Sequence, residues 1–400
     1  MIFSGIVPAL ADPILGLTAA WRQDSRPAKL NLGVGVFMDD AGRTPVLESV
    51  KRAERLLLDA ETTKTYLPIA GTPAFADAVS ALVFGPAFPA GRAAVLQTPG
   101  GTGALAAAAH LLAALRPDAA VYLPDPTWGN HKAIFAAAGL PVAPYPYLDP
   151  ATRTVALDAL CNALDRLPAD AVVLLHACCH NPTGAEIPPD GWASIAAIAA
   201  RRGWLPLVDF AYQGFGEGIA PDRAGLLALL SAVPEALVCS SFSKNMALYS
   251  ERVGALSLVA ADPDDAQAAL THARRVARTL WSNPPRHGAA IAETILSDDA
   301  LRTLWLSEVD AMRTRIAGNR ALIAEGLSSR LPDRDFSFLA AQRGMFSYLG
   351  LSTAQVARLH NEYAIYMVAG GRINVAGLPT ARTDYLCDAL AAIYRDTPAG

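Results

Sequence analysis

Apolar residues gather along this chain into short runs that stop abruptly at polar loops, at residues 93–96, 119–123, 171–179, 205–208 and 236–239. Such runs read as buried strands, and each is followed by a stretch of helical character such as residues 104–115. The alternation predicts an α/β layer built on a mainly parallel sheet with both faces covered. Ligands of such sheets bind beyond the carboxyl ends of the strands, so the residues that follow each run are expected to converge on one site. Past this layer, residues 299–327 carry a long helical pattern. Short alternating pieces at 336–338, 345–348 and 371–375 then predict a second, α+β domain.

With 400 residues, of which 52% are apolar, the chain can bury a large core. Its formal net charge of −4 leaves no basic footprint for nucleic acid. Partners are expected to be small molecules or copies of the chain itself. Cys161, Cys178, Cys179, Cys239 and Cys387 are odd in number and include no C-x-x-C pair, so neither a disulfide framework nor a metal site is expected. A reducing cytoplasm fits this usage. Ala9-Leu10-Ala11 resembles a signal-peptidase site only superficially, because the segment before it lacks a positive start and a long apolar run. The apolar stretch at 104–115 is too short to span a bilayer, and no membrane anchoring is expected.

The chemistry sits where the runs end. Ser240-Ser241-Phe242-Ser243-Lys244-Asn245 places one lysine among small hydroxyls, with Arg252 following. A lysine at the mouth of an apolar sheet can lose its proton and attack a carbonyl. Thr98-Pro99-Gly100-Gly101-Thr102-Gly103 precedes a helix and offers free N–H groups to a phosphate. Asp125-Pro126-Thr127-Trp128 supplies an indole that can stack on a planar ring. His180-Asn181-Pro182-Thr183-Gly184 places an amide at the end of a strand. Val208-Asp209-Phe210-Ala211-Tyr212 ends an apolar strand on an aspartate, which is costly without a charged partner.

Each piece alone also has a bland reading: a surface lysine, a simple glycine turn, a packing tryptophan, an Asn-Pro turn, an aspartate capping a helix. Together they meet the needs of pyridoxal phosphate, namely a lysine for its aldehyde, a carboxylate for its ring nitrogen, a hydroxyl for its phenolate and a cup for its phosphate.

From Asp12-Pro13-Ile14-Leu15-Gly16-Leu17 to Gly371-Arg372-Ile373-Asn374-Val375-Ala376-Gly377, the chain resembles the class I aminotransferases of the aspartate and aromatic amino-acid group, within the fold type I pyridoxal-phosphate enzymes. Cys179-His180-Asn181-Pro182-Thr183-Gly184, Ser243-Lys244-Asn245-Met246 with Glu251-Arg252-Val253-Gly254, and Ser282-Asn283-Pro284-Pro285 carry the likeness in order. It implies a large domain with a mainly parallel seven-stranded sheet over residues 45–310. A smaller α+β domain would occupy residues 311–400, with residues 1–44 forming an arm and part of that small domain.

The resemblance also implies roles. Lys244 would attach the cofactor and later move the proton at the substrate Cα. Asp209 would keep the ring nitrogen protonated, Tyr212 and Asn181 would bind the phenolic oxygen, and His131 and His180 would stand behind Asp209. The phosphate would be held by Gly101, Thr102, Ser241, Ser243 and Arg252, and by Tyr66 of a partner subunit in a homodimer. Arg372, helped by Asn181, Trp128 and the backbone of Gly35, would clamp the substrate α-carboxylate. Arg278 would reach the distal acid of a dicarboxylate in the other subunit, although with Arg274 and Arg275 it also reads as a solvated basic helix face.

Amino acids and 2-oxo acids are thus the expected substrates. Tyr66-Leu67-Pro68-Ile69 resembles the aromatic enzymes, whereas Val36, Thr44 and Asn283 resemble the aspartate enzymes. Met38 makes the entrance more apolar. The expectation is a ping-pong transaminase that moves the amino group of aspartate, Phe or Tyr to 2-oxoglutarate, with a strict aspartate enzyme as the alternative. Among other classes, a serine acyl-enzyme lacks its companion motifs, and a cofactor-sensing regulator has no room for a DNA-binding module. A lyase or decarboxylase using the same cofactor would not need Arg278.

Overall fold

The computed structural model describes residues 1–8 and 13–396. Ala9-Leu10-Ala11 and Asp12, named above, lie outside the described residues. In chain order the strands are β1 (Leu30–Asn31), β2 (Ala93–Pro99), β3 (Val121–Asp125), β4 (Val142–Pro146), β5 (Val172–His176), β6 (Leu205–Phe210), β7 (Ala236–Ser241), β8 (Val253–Val259), β9 (Phe346–Tyr348), β10 (Ile365–Tyr366) and β11 (Arg372–Asn374). Seven of them form one sheet in the order β2-β8-β7-β6-β5-β3-β4. Only β8 runs against its neighbours, β2 and β7.

The sheet is buried on both faces because its strands are apolar at odd and even positions alike. In β5, Val173 and Leu175 join one core, while Val172 and Leu174 join the other. In β7 the same division separates Ala236 and Val238 from Leu237 and Cys239. The second core is closed by two helices, Gly100–Leu115 and Pro263–Leu280, whose small residues Ala104, Ala108, Ala273 and Ala277 are fully buried.

All five predicted strands are present, although the run at 171–179 stops being a strand after His176. The chain then turns through Cys179, which has φ +53°. Two strands lacked a clean apolar run. β4 (VAPYP) carries two prolines at the sheet edge, and β8 (VGALSLV) is broken by glycine and serine. Residues 336–338 are not a strand: Ser337–Ala341 is a short helix, with Asp335 accepting hydrogen bonds from the Ser337 N–H and hydroxyl at its start.

The terminal segments build a second region. β1 pairs with β10, and β11 pairs antiparallel with β9. Asn374 Nδ2 donates to the carbonyls of Val34 (2.6 Å) and Val36 (2.7 Å), which ties the N-terminal stretch to β11. The helix Asp299–Arg330 runs unbroken for 32 residues, about 48 Å at 1.5 Å per residue, and the boundary expected at residue 310 falls inside it.

Candidate active site

Residues from beyond β2, β3, β5, β6 and β7 enclose a cavity of about 230 Å³ with Gly35, Phe346 and Arg372 from the terminal segments. Lys244 lies in this cavity with its Nζ 4.9 Å from the centre of the Tyr212 ring. Burial lowers its pKa; Asp209 opposes the shift and Arg252 adds to it. Unoccupied by a proton, its amine is a nucleophile.

Asp209 is the penultimate residue of β6, and its Oδ2 is 3.0 Å from Nε2 of the fully buried His131. Burial alone would raise the Asp209 pKa. The hydrogen bond from His131, with the charges of His131, His176 and Lys244, holds it below the ordinary value instead. His131 is fixed in turn by Thr127, whose Oγ1 is 2.8 Å from Nδ1. The expectation for His180 needs correction, because it does not touch Asp209. It hydrogen-bonds Thr183 at 2.8 Å, stacks on Tyr147 at 3.7 Å and meets His176 at 4.3 Å. His176 occupies the place beside His131, at 5.3 Å between ring centres, since it is the last residue of β5 and pairs in register with Asp209. Burial pushes the His176 pKa down to about 3, and that of His180 well below the usual value.

A phosphate-sized cup lies at the start of the helix Gly100–Leu115. Ser241 and Ser243 share a hydrogen bond between hydroxyls at 3.1 Å, and Arg252 Nη1 donates to Ser243 Oγ at 3.3 Å. A Cβ on Gly100, which has φ +73°, would come within 2.6 Å of Arg252 Nη2, so glycine lets the guanidinium lie against the helix start. A Cβ on Gly254 would sit 2.5 Å from the Gly100 carbonyl carbon. Among the described residues no carboxylate is ion-paired with Arg252, and helix N–H groups beside an unpaired cation suit a phosphate.

Arg372 forms the opposite pole. It is 5% exposed and donates to Asn181 Oδ1 at 3.5 Å and to the Gly33 carbonyl. Its guanidinium lies 4.3 Å over the Phe346 ring, and its Nε has no partner. Burial lowers its pKa. A buried guanidinium lacking an anion is costly in isolation and is compensated by an incoming carboxylate. Asn181 Nδ2 also donates to the Tyr212 hydroxyl at 3.4 Å, so one amide links the two poles.

Gly101, Thr102, Trp128, Asn181, Asp209, Tyr212, Ser241, Ser243, Lys244, Arg252, Gly35 and Arg372 all line the cavity. Tyr66 and Arg278 do not. Tyr66 is 87% exposed, and Arg278 projects from an exposed helix end, donating to Ser282 Oγ. Their segments share one surface, because Asn283 Nδ2 donates to the Leu67 carbonyl at 2.8 Å. Sequence reasoning missed His176, Phe346 and Tyr249. His176 was concealed inside an apolar run, although a histidine at a strand's carboxyl end is itself a signal. Tyr249, whose hydroxyl accepts the Phe37 N–H at 2.9 Å, had none.

Phosphate cup, ionised strand-end carboxylate and depressed lysine together define a pyridoxal-phosphate-dependent enzyme, and the free arginine at the other pole fits a substrate with a carboxylate. Residues 27–390 match the family model described as aminotransferase class I and II. The chain is 47% identical to the aspartate aminotransferase of Escherichia coli, over 98% of this chain and 100% of that protein. It is 46% identical to the aromatic-amino-acid aminotransferase of Pseudomonas aeruginosa, over 98% and 99%. A crystal structure of the aromatic-amino-acid aminotransferase of Burkholderia pseudomallei, covalently bound to pyridoxal phosphate, superposes with a TM-score of 0.95 at 44% identity, covering 98% of this chain and 99% of that one. The chain belongs to the class I and II aminotransferase family. It is an enzyme that uses pyridoxal phosphate and acts on amino acids and 2-oxo acids. No helix among the described residues is long and apolar enough to cross a membrane.

Proposed function

We propose that this aminotransferase takes both aspartate and aromatic L-amino acids as donors and 2-oxoglutarate as acceptor, working as a cytoplasmic homodimer with shared sites. The observation that carries the dual specificity is the state of Arg278. It is held by the neutral Ser282 hydroxyl, with no carboxylate ion-paired to it among the described residues. A side chain tethered in this way can turn toward a distal carboxylate or aside for an aromatic ring. Relatives bearing both names match the chain almost equally well, which supports the reading.

In this reading Gly101, Thr102, Ser241, Ser243 and Arg252 hold the cofactor phosphate, Trp128 covers its ring, and Tyr212 and Asn181 bind its phenolic oxygen. Asp209 keeps a proton on its ring nitrogen, with His131 directly behind and His180 two rings further on. When bound, the cofactor supplies an aldehyde for the amino group and a ring that takes up the electron pair released at Cα. Arg372 orients the α-carboxylate, helped by Asn181, Trp128 and the Gly35 backbone. Lys244, with its lowered pKa, takes the Cα proton as general base and returns it.

Tyr66 and Arg278, on one surface and outside their own cavity, serve the partner's site.

The test follows the cofactor's visible absorption during addition of aspartate and then phenylalanine, with 2-oxoglutarate to reverse the change. Both amino acids should bleach the band reversibly. Arg278→Ala should lower kcat/KM for aspartate by about 10²-fold, the equivalent of losing a desolvated charge pair, and leave phenylalanine within a few fold. Conversion of aspartate but of neither Phe nor Tyr would make this a strict aspartate enzyme. A mass in solution of one 42.0 kDa chain would refute the shared site.

A further inference from the structure

The two anion-binding poles of the active site belong to different parts of the chain. Arg252 lies just before β8 in the central sheet, whereas Arg372 begins β11 in the terminal segments. A cofactor anchored at one pole and an amino acid held at the other react only when the protein fixes the separation of the two. One residue touches the supports of both. Tyr249 stands in the loop between Lys244 and Arg252 and lines the cavity. Its carbonyl accepts from Arg252 Nη1 at 2.9 Å, and its hydroxyl accepts from the Phe37 N–H at 2.9 Å.

Phe37 ends a short segment whose other end holds the second arginine. The Gly33 carbonyl accepts from Arg372 Nη2, and Gly35, between the two ends, lines the cavity. The rest of this segment is tied to its own side of the molecule. Asn374 holds the carbonyls of Val34 and Val36, the Met38 N–H donates to the Ala376 carbonyl at 2.9 Å, and the Met38 carbonyl accepts from Arg315 in the second half of the helix Asp299–Arg330. Among the described residues, the Tyr249 hydroxyl is therefore the hydrogen-bond link between this segment and the loop that carries Lys244 and Arg252. Phe37 is buried, so its N–H is left unsatisfied if that acceptor is removed. Burial pushes the Tyr249 pKa up to about 12, against the pull of the Phe37 N–H, and the link is made by a neutral hydroxyl at physiological pH.

We propose that Tyr249 is a positioning residue for the substrate carboxylate. Acting through Phe37 and Gly33, it sets the Arg372 fork against the phosphate cup at Arg252, and it does so for every amino acid alike. The role rests on the reading of Arg372 as the clamp for the α-carboxylate. Tyr249 touches neither the reacting atoms nor the carboxylate in this account; what it supplies is the registry between the two poles.

The experiment compares the holoenzyme with Tyr249→Phe, which keeps the ring and the carbonyl that holds Arg252 and loses only the hydroxyl. KM for aspartate and for phenylalanine should both rise by about tenfold, with kcat within about threefold of the parent. The dissociation constant of 3-phenylpropionate, which has the carboxylate and no amino group to react, should rise by the same factor in calorimetry. Cofactor retention on dialysis should not change, because the bond to Arg252 survives. In the Arg372→Lys background the effect of Tyr249→Phe should shrink to about threefold or less, since both changes act on one clamp. A lowered melting temperature with KM and 3-phenylpropionate affinity unmoved would overturn the proposal and leave Tyr249 a structural residue. Loss of cofactor from Tyr249→Phe would overturn it in favour of a role in the cup. If Arg372→Lys raises KM and Tyr249→Phe does not, the clamp stands and the role of Tyr249 falls; if neither raises it, both fall.

Discussion

Asp209 and His131 form a buried pair, with Oδ2 and Nε2 3.0 Å apart, and the histidine is itself held by Thr127. The aspartate therefore stays ionised where burial alone would protonate it. Asp209→Asn keeps the shape and loses the charge. The charge lost is the one that would face the cofactor's ring nitrogen, and removing one such preorganised electrostatic group costs about 10²–10³-fold in rate. We expect a fall of that size in kcat/KM for aspartate, with folding retained by circular dichroism. Activity within fivefold of the parent would remove Asp209 from the mechanism.

Gly254 matters for the cup because any Cβ there would meet the backbone of Gly100 and Gly101 at 2.5–2.8 Å. Overpacking of this kind costs about 1–3 kcal/mol. Gly254→Ala should lower the melting temperature and weaken cofactor retention on dialysis, whereas Gly129→Ala, with open space around it, should do neither.

Arg372 offers a planar fork, and lysine has only a point charge. Arg372→Lys should raise KM for every amino acid tested, with a loss in kcat/KM of about 10²-fold. Because the clamp reads the α-carboxylate common to all of them, the ratio of aspartate to phenylalanine turnover should not move. A change confined to one amino acid would show that Arg372 is not the common clamp.

Glu186 gives a stability test. Burial, helped by the charge of Asp222, raises its carboxyl from 4.5 to about 7, against the N–H groups of Cys179 and His180 and the charge of Arg343. The folded chain thus keeps a proton that the unfolded chain has released. This contribution is fully present below about 4.5 and is lost as pH rises through about 7. At about 1.4 kcal/mol per pH unit, it amounts to no more than roughly 3.5 kcal/mol. Urea unfolding of Glu186→Gln should show a shallower fall in stability between those pH values than the parent, and an identical slope would refute the assignment.

How much of this was legible in the sequence follows from how each feature is encoded. The strand that carries Asp209 and the strand that leads to Lys244 are continuous apolar runs, because a parallel sheet covered on both faces leaves no polar side to disguise them. β4 and β8 were hidden by proline at an edge and by glycine where two backbones touch. His131 and Asp209 lie far apart in sequence, and their pairing came from the family resemblance. The exchange of places between His176 and His180 is a matter of register and of the turn at Cys179, which no local pattern records. Phe346 looked like an ordinary strand residue, since its partner Arg372 belongs to another strand.

The helix Asp299–Arg330 grips both regions of the molecule. Near one end Trp305 Nε1 donates to the carbonyl of Asn245, next to Lys244, at 2.8 Å; further along, Asn319 Nδ2 donates to the carbonyls of Val375 (3.1 Å) and Leu378 (2.9 Å), just past β11. A polypeptide severed at residue 310 would divide this rod, leaving Trp305 with Asn245 in one fragment and Asn319 with Val375 and Leu378 in the other. The rod is thus the covalent span between the two regions, with each half of it anchored to its own side.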